Sequence, residues 1–111
     1  MYEYGARLVR VVDGDTVALD LDLGFYEWRI GRTYRLLRID APELNTPEGK
    51  VAKQWLEAFL WPPGTPAAKS LVAWTQKADN FGRFLVELYA DNANVSDALV
   101  AAGMAQYRTF T

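Results

Sequence analysis

Three apolar segments in the first half of the chain have the pattern of β-strands. Residues 6–12 are rich in β-branched and aliphatic side chains and end at the turn sequence Asp13-Gly14-Asp15. Residues 17–23 alternate between aliphatic residues and small or acidic ones, which predicts one buried and one solvated face. Residues 34–39 form a third apolar run, which ends at Asp40-Ala41-Pro42-Glu43. The pattern therefore predicts three consecutive strands.

The spacing at which apolar residues recur along the chain changes from two to about four after residue 45. Thr46-Pro47-Glu48 combines a hydroxyl cap, a proline at the first helical position and an acid in the first turn, which predicts a helix start. The sequence Pro62-Pro63-Gly64 predicts where this helix stops. Its predicted apolar stripe consists of Val51, Trp55, Leu56, Phe59 and Leu60.

Two further strands and a second helix are predicted in the rest of the chain. Residues 71–75 and 84–89 have strand character and are joined through residues 77–82. A helix over residues 95–102 follows, with Asn94 as its cap and Gly103 as its C-terminal stop. The order β-β-β-α-β-β-α predicts a mainly β, α+β fold, and a bent five-stranded barrel of the OB type accommodates it.

Composition limits the chemistry that this chain can perform. Its 111 residues correspond to one domain, and a hydrophobic fraction of 50% excludes a disordered chain. Cysteine and histidine are both absent, which excludes disulfides, thiolate metal sites, imidazole ligands and histidine-dependent catalytic triads. Any metal ion must therefore be bound by oxygen, and acid–base chemistry must use carboxylates, Lys, Tyr or water.

The charge balance argues against a generic nucleic-acid-binding surface. Twelve basic and 14 acidic residues give a net charge of −2, and the pI is near 5.0. Eight of the basic residues are Arg, whose planar forks suit a small phosphate site. No apolar run is long enough for a membrane helix, and the N-terminal sequence lacks the order of a signal peptide. We expect a cytoplasmic or phage-encoded protein, or a secreted one whose leader was removed.

Several charged residues stand where strands or turns would present them. Asp15, Asp40 and Glu43 each follow an apolar strand, and three oxygen donors with water suit a hard divalent cation such as Ca²⁺ or Mg²⁺. Arg35 lies within an apolar strand, and Arg83 follows a glycine that lets the backbone project its side chain. Taken singly, such acids are ordinary turn residues and such arginines form surface salt bridges.

Together these segments resemble the signature segments of the staphylococcal nuclease-like family. The first is Val12-Asp13-Gly14-Asp15-Thr16, and the second runs from Tyr34 to Glu43 with the sequence YRLLRIDAPE. The third is Asp79-Asn80-Phe81-Gly82-Arg83, and the helix sequence from Val95 to Val100 followed by Gly103-Met104-Ala105 resembles a fourth. The resemblance covers nearly the whole chain, in the family's order and approximate spacing. It implies a single OB-fold domain over residues 1–111, with two or three helices.

The resemblance implies a Ca²⁺-dependent phosphodiesterase that acts on DNA and RNA, with single strands preferred. One Ca²⁺ ion would be bound at a site formed by Asp15, Asp40, the main-chain carbonyl of Ala41 and Glu43. Glu43 would hold and orient the attacking water, as general base or through the ion's water shell. Arg35 and Arg83 would bind phosphate oxygens and stabilise charge on the five-coordinate phosphorus. The products would carry 3′-phosphate and 5′-hydroxyl ends. This agrees with the need of phosphodiester hydrolysis for a positioned water and for cations where charge develops.

The chain departs from the family pattern at the substrate-binding residues. Phe81 and Asn80 replace the usual Tyr and Lys, so a hydroxyl and an ammonium are missing from this expected substrate site. Tyr107 and Phe110 are the candidates for the family's base-stacking residue near the C-terminus. Only eight residues follow Gly103, so the third helix of the family is absent or truncated. We expect a monomer, with a dimer through the exposed C-terminal surface as the alternative.

The stretch between the second and third predicted strands is longer than in the type member of the family. We interpret residues 24–31 as a long hairpin connection that contains Phe25, Tyr26 and Trp28. Three roles are open for these aromatic side chains: a flap over the barrel, a DNA contact or a dimer patch. The flap is the simplest of the three.

A non-catalytic OB-type module that binds nucleic acid or protein is the competing interpretation. Degenerate copies of this fold usually lose an acid or an arginine of the site. Asp15, Arg35, Asp40, Glu43 and Arg83 are all present here, which favours the enzyme.

Overall fold

Five strands close into a barrel in this computed structural model, which describes residues 2–78 and 84–108. The long strands are β1 (Tyr2–Asp13), β2 (Thr16–Gly24), β3 (Glu27–Leu36), β5 (Leu71–Ala78) and β6 (Phe84–Ala90). Three two-residue strands are β4 (Ile39–Asp40), β7 (Ala93–Asn94) and β8 (Gln106–Tyr107). The helices in the described part are α1 (Pro47–Leu60) and α2 (Val95–Ala101).

The sheet order is β3-β2-β1-β5-β6-β7, and β3 pairs in parallel with β6 to close the barrel. All other pairings are antiparallel, including a separate short ribbon between β4 and β8. The closing contact pairs residues 34–36 of β3 with residues 84–86 of β6, which closes the sheet at this end of the strands. The predicted α+β fold with a five-stranded OB-type barrel is therefore confirmed.

The hydrophobic core fills the barrel and continues beneath both helices. Val17, Leu19, Tyr34 and Leu88 are among its fully buried residues, and the alternation predicted for β2 persists in its Leu19–Leu21 part. Leu23 is 40% exposed because β2 continues past the barrel to the hairpin tip. Within the described residues, neither helix is long and apolar enough to cross a membrane.

Helix α1 begins and ends as the sequence predicts, but its buried face is rotated. Thr46 is the N-cap, and its side chain accepts a hydrogen bond from the Gly49 amide at 3.0 Å. The buried residues are Gly49, Ala52, Leu56 and Leu60. The predicted stripe was wrong at Val51, which is exposed, and only half right at Trp55 and Phe59, which are half-buried and stack at 4.9 Å. Small residues lie on the buried face because the neighbouring backbone approaches it closely.

The prediction of a long connection over residues 24–31 was wrong. Strands β2 and β3 extend into this segment, and the turn between them consists of Phe25 and Tyr26. Both residues have positive φ, 54° and 62°, which matches the type I′ hairpin turn, and both side chains are almost fully exposed. They do not cover the barrel as a flap, whereas Trp28 packs beneath the guanidinium of Arg7, 3.9 Å from its ring centroid.

Helix α2 agrees with its prediction. Asn94 is the N-cap, and its side-chain oxygen accepts a hydrogen bond from the Asp97 amide at 3.0 Å. Gly103 has a φ of 76° just beyond the helix, which is the conformation expected at a C-terminal stop. The chain changes direction at Gly103, after the helix, and β8 then pairs with β4.

Candidate functional site

A polar cleft of about 420 Å³ lies where β1, β2, β3 and β4 end or begin. Its lining includes five residues that the sequence singled out: Asp15, Arg35, Asp40, Ala41 and Glu43. Asp13 and Pro42 complete the lining. The fold thus brings together acids and an arginine that are up to 30 residues apart in the chain, from Asp13 to Glu43.

The turn between β1 and β2 is pressed against the base of the cleft at Gly14. A Cβ at this position would lie 2.7 Å from the Cβ of Ala41 and 2.9 Å from that of Ala52. Glycine is therefore required by close approach. The residues on either side of Gly14 are joined by a hydrogen bond, in which the Asp13 carboxylate accepts from the Asp15 amide at 3.0 Å. This bond stabilises the turn.

Asp15 is held by contacts from three parts of the chain. One of its oxygens accepts from the Thr16 hydroxyl at 3.1 Å, and the other from the Ala41 amide at 3.0 Å. Burial raises the pKa of the Asp15 carboxyl above its ordinary value, and the hydrogen-bonded carboxyl of Asp13 raises it further. The Ala41 amide and the Arg35 guanidinium act in the opposite direction. The hydrogen bonds from Thr16 and Ala41 hold the Asp15 side chain in place, and this side chain is only slightly exposed.

Arg35 points into the cleft, with only 11% of its side chain exposed. Its Nη2 lies 3.3 Å from Asp15 Oδ2, donates to the Ile39 carbonyl at 3.2 Å and also donates to Asp40 Oδ1. An arginine in an apolar strand can either extend outward to solvent or point into a charged cleft, and Arg35 does the latter. Arg35 therefore pairs with two carboxylates, one in the turn between β1 and β2 and the other on β4.

Asp40 lies on β4 and exposes 57% of its side chain. Its second oxygen lies 3.4 Å from Nε of Arg108, because β8 pairs with β4 and carries the following residues alongside. The Arg108 amide also donates to the carbonyl of Arg38 at 2.9 Å. Sequence analysis missed Arg108 and Asp13. The turn sequence around Asp15 could have indicated Asp13, whereas Arg108 depends on a non-local pairing that no local pattern reports.

Glu43 has an exposed side chain on a rigid backbone. The Glu43 carbonyl accepts from the Thr46 amide at 3.0 Å and from the Thr46 hydroxyl at 2.6 Å. A Cβ on Gly49 would lie 1.9 Å from the same carbonyl oxygen. The helix cap and this close approach together hold the Glu43 backbone at the rim while its carboxylate stays accessible.

A network centred on Arg38 holds the turn that precedes Asp40. Its guanidinium donates to Glu87 at 2.7 Å, to Asp97 at 3.0 Å and to Asn94 at 3.2 Å. The Tyr107 hydroxyl also donates to Asp97, at 2.7 Å. The hydrogen bond from Arg38 is the main cause that lowers the pKa of the Asp97 carboxyl, and the hydrogen bond from Tyr107 lowers it further. The predicted role of Tyr107 in substrate binding stays a prediction, since the described contacts of its hydroxyl lie within this network.

The cleft has the donor chemistry of a Ca²⁺ site. Carboxylates and a main-chain carbonyl are the ligands that this hard cation prefers, and Asp15, Asp40, Glu43 and Ala41 line one cleft. Within residues 2–78 and 84–108, however, no three acidic side chains are grouped closely enough to bind one ion. Arg35 contacts one oxygen of Asp15 and one of Asp40, so a cation bound there would share these carboxylates with the arginine.

Three of the predicted substrate-site residues, Asn80, Phe81 and Arg83, lie outside the residues that the structure describes. Phe110, the second candidate for base stacking, also lies outside them. The described cleft therefore contains Arg35 and the acids of the predicted catalytic set.

Comparison with known proteins shows the family to which this chain is related. A sequence model of the family described as "staphylococcal nuclease homologue" matches residues 33–111. Two proteins named "uncharacterized endonuclease", one from Escherichia coli O157:H7 and one from Escherichia coli, are each 32% identical to this chain over 108 residues. The aligned region covers 93% of this chain but only 63% of each relative, so the chain spans less than two thirds of their length.

Proposed function

We propose that this chain, which belongs to the staphylococcal nuclease homologue family, is a Ca²⁺-dependent nuclease that hydrolyses phosphodiester bonds of DNA and RNA. The products would carry 3′-phosphate and 5′-hydroxyl ends. The observation that carries the proposal is the convergence of Arg35 with Asp15, Asp40 and Glu43 on one polar cleft. The endonuclease name of the two relatives supports the same reaction class.

Glu43 is the residue best placed to activate water. Its carboxylate is exposed at the rim, while its backbone is fixed by Thr46 and by the close approach of Gly49. A carboxylate held in this way can accept a proton from water as the water attacks phosphorus, which is the general-base role in hydrolysis. The fixed backbone also keeps the Glu43 carboxylate close to the position that the reaction needs, so less entropy is lost in orienting it.

Arg35 is suited to bind the phosphate. Its guanidinium is always charged, and its planar fork matches two phosphate oxygens. Because it is nearly buried, its charge is less screened by water than that of a surface arginine. It would stabilise the additional negative charge that develops as phosphorus becomes five-coordinate.

Asp15, Asp40 and the carbonyl of Ala41 are the groups that would hold the cation. A Ca²⁺ ion bound there would supply positive charge beside the phosphate, which the acidic cleft otherwise repels. Release of Asp15 and Asp40 from Arg35 would at the same time free the guanidinium for the substrate.

Cleavage of end-labelled single-stranded DNA tests the proposal. The experiment compares Ca²⁺, Mg²⁺ and a chelator, and determines whether the new 3′ ends carry phosphate. We expect cutting with Ca²⁺, none with chelator, and 3′-phosphate products. Absence of cutting, or 3′-hydroxyl products, would contradict the proposed reaction.

A second function is a non-catalytic OB module that binds nucleic acid. The observation that favours it is that Arg35 already pairs with two of the acids expected to bind the cation. Measurable binding of DNA without cleavage under any of the three conditions would support this function instead.

A further inference from the structure

A second cavity, of about 440 Å³, opens at the end of the barrel where strands β3 and β6 separate. The residues of β3 that precede Tyr34 have β2 as their only strand partner in the described part of the chain. Most residues that line the cavity are aromatic or aliphatic, among them Tyr2, Tyr4, Leu21, Leu23 and Phe84. Because an apolar cavity of about 150 Å³ already binds a benzene ring, this one has room for an aromatic side chain.

The hairpin tip beside this cavity consists of Phe25 and Tyr26, the two most exposed aromatic residues that the structure describes. Both have positive φ, which Gly, Asn or Asp would adopt more readily, so these rings are not explained by the needs of the turn. Neither ring lines the cavity, although Leu23 and Arg29 of the same hairpin do. The rings are therefore available to a second molecule.

The charges near the tip and the cavity are complementary. Glu27 directly follows the tip and is exposed. Arg29, two residues further along β3, lines the cavity and stacks on Phe84, 4.6 Å from the ring centroid. Within residues 2–78 and 84–108, neither Glu27 nor Arg29 forms an ion pair. A tip that enters the cavity of another copy would bring the acid of one chain to the base of the other.

We propose that two copies of this chain form a dimer in which each hairpin tip occupies the cavity of the other copy. Phe25 and Tyr26 contact the aromatic and aliphatic walls, and Glu27 faces Arg29 of the partner subunit. Tip and cavity belong to the same end of the molecule, so one two-fold axis forms both contacts and the assembly closes at two copies. Such a dimer differs from the monomer, and from the dimer through the C-terminal surface, that the sequence predicted.

Burial of the rings supplies an area close to the lower limit for a specific interface. An aromatic side chain buries roughly 150–250 Å², so the four rings of a dimer bury about 600 Å² or more. The walls that they cover lose a similar area, which gives a total of about 1,200 Å². Specific interfaces begin near this value, so we expect a dimer that dissociates reversibly on dilution.

Other occupants fit the tip less well. Glu27 lies next to the tip, and Asp22 lies opposite Trp28, the following residue of β3. These two carboxylates repel the phosphates of nucleic acids and of an anionic membrane. The cavity shares no lining residue with the acidic cleft, so the proposed dimer does not depend on hydrolysis.

Sedimentation velocity from about 1 to about 500 micromolar chain tests the interface. We expect the mass of the unmodified protein to rise from one chain to two over this range. The variant Phe25→Asn, Tyr26→Gly has a turn sequence suited to positive φ, so it should fold. Its dimer dissociation constant should be at least about a hundredfold higher, because four buried rings are lost. Val51→Ser removes an exposed aliphatic side chain on α1, outside the hairpin, and should dimerise as the unmodified protein does.

Charge reversal tests the contact between Glu27 and Arg29 of the partner subunit. Glu27→Arg and Arg29→Glu each bring like charges together across the interface, and we expect each to weaken the dimer about tenfold or more. The double variant exchanges the two charges and should restore most of the affinity. Glu48→Arg is the control, because it reverses an exposed charge on α1 outside the hairpin.

Three results would overturn the proposal. The first is a chain that stays monomeric at every concentration. If the tip variant of such a monomer loses binding to DNA or to phosphatidylcholine vesicles, the tip belongs to that partner instead. The second is a dimer that the tip variant does not weaken. The third is growth beyond two copies, which would contradict the two-fold exchange of hairpin tips.

Discussion

The guanidinium of Arg35 lies 3.3 Å from the carboxylate of Asp15, although 20 residues separate them in the chain. The register of β2 and β3 creates this contact, because Thr16 lies opposite Arg35 and Asp15 immediately precedes Thr16. The ion pair therefore depends on strand pairing in the barrel. It also means that Arg35 occupies carboxylate oxygens that the proposed cation would need.

Arg35→Gln is expected to strengthen Ca²⁺ binding while abolishing cleavage. Removing a competing positive charge worth about 1 kcal/mol would raise the affinity for Ca²⁺ about fivefold. Calorimetric titration with Ca²⁺ measures this, and Arg7→Gln is the control because Arg7 lies outside the cleft. Unchanged or weaker Ca²⁺ binding in Arg35→Gln would show that the ion does not compete with this arginine.

Gly49→Ala is expected to destabilise the protein by about 3 kcal/mol or more. The added Cβ would lie 1.9 Å from the Glu43 carbonyl oxygen, so the loop that carries Glu43 or the start of α1 must move. Urea unfolding measures the loss, and cleavage should fall as well. Gly5→Ala is the matched control, since its nearest contact would be 4.0 Å away. Equal stability of the two variants would disprove the close approach.

Asp97→Asn is expected to make the stability less dependent on pH. Because its partners lower the pKa of Asp97, the charged form stabilises the folded state above the ordinary value of 3.8, and this contribution is lost as the pH falls below it. Both Arg38 and Asp97 are substantially exposed, so the loss at neutral pH should be under about 1 kcal/mol.

The free energies of unfolding of Asp97→Asn and of the unmodified protein should therefore differ at pH 7 and converge as the pH falls below the ordinary pKa of 3.8. Urea titrations at several pH values provide the comparison. A difference that stays constant across this range would mean that the Asp97 charge has no part in the effect.

Replacement of Phe25-Tyr26 by Asn-Gly is expected to stabilise the hairpin by about 1–2 kcal/mol. Both native residues have positive φ, which is unfavourable for side chains other than Gly, Asn and Asp. The double variant Phe25→Ser, Tyr26→Ser removes the rings but keeps residues poorly suited to this turn. If both double variants gain equally in thermal unfolding, removal of the exposed rings, and not the turn conformation, is the cause.

Local signals predicted the elements well where the interactions that form them are local. Thr46 and Asn94 cap their helices as expected, because each cap bonds to an amide three residues later. The turn at Phe25 and Tyr26 was missed because neither residue favours positive φ, and the strand register there outweighs local preference. The orientation of α1 was misjudged at Val51 because close backbone approach at Gly49 decides which face is buried.

The same distinction applies to the cleft. Asp15, Arg35, Asp40 and Glu43 could be selected from sequence because their strand and turn positions coincide with segments that resemble the family's signatures. The contact between Arg108 and Asp40 could not, since it arises from the pairing of β4 with β8 across the fold.

Single-turnover cleavage of DNA by Glu43→Gln, with saturating Ca²⁺, tests the central claim most directly. Glu48→Gln is the matched control, since Glu48 is an exposed acid in the first turn of α1 and lies outside the cleft. We predict that Glu43→Gln folds normally, binds Ca²⁺ and cuts about a hundredfold or more slowly, whereas Glu48→Gln cuts at the unmodified rate. Equal rates for Glu43→Gln and the unmodified protein would contradict the account of this cleft as a nuclease active site.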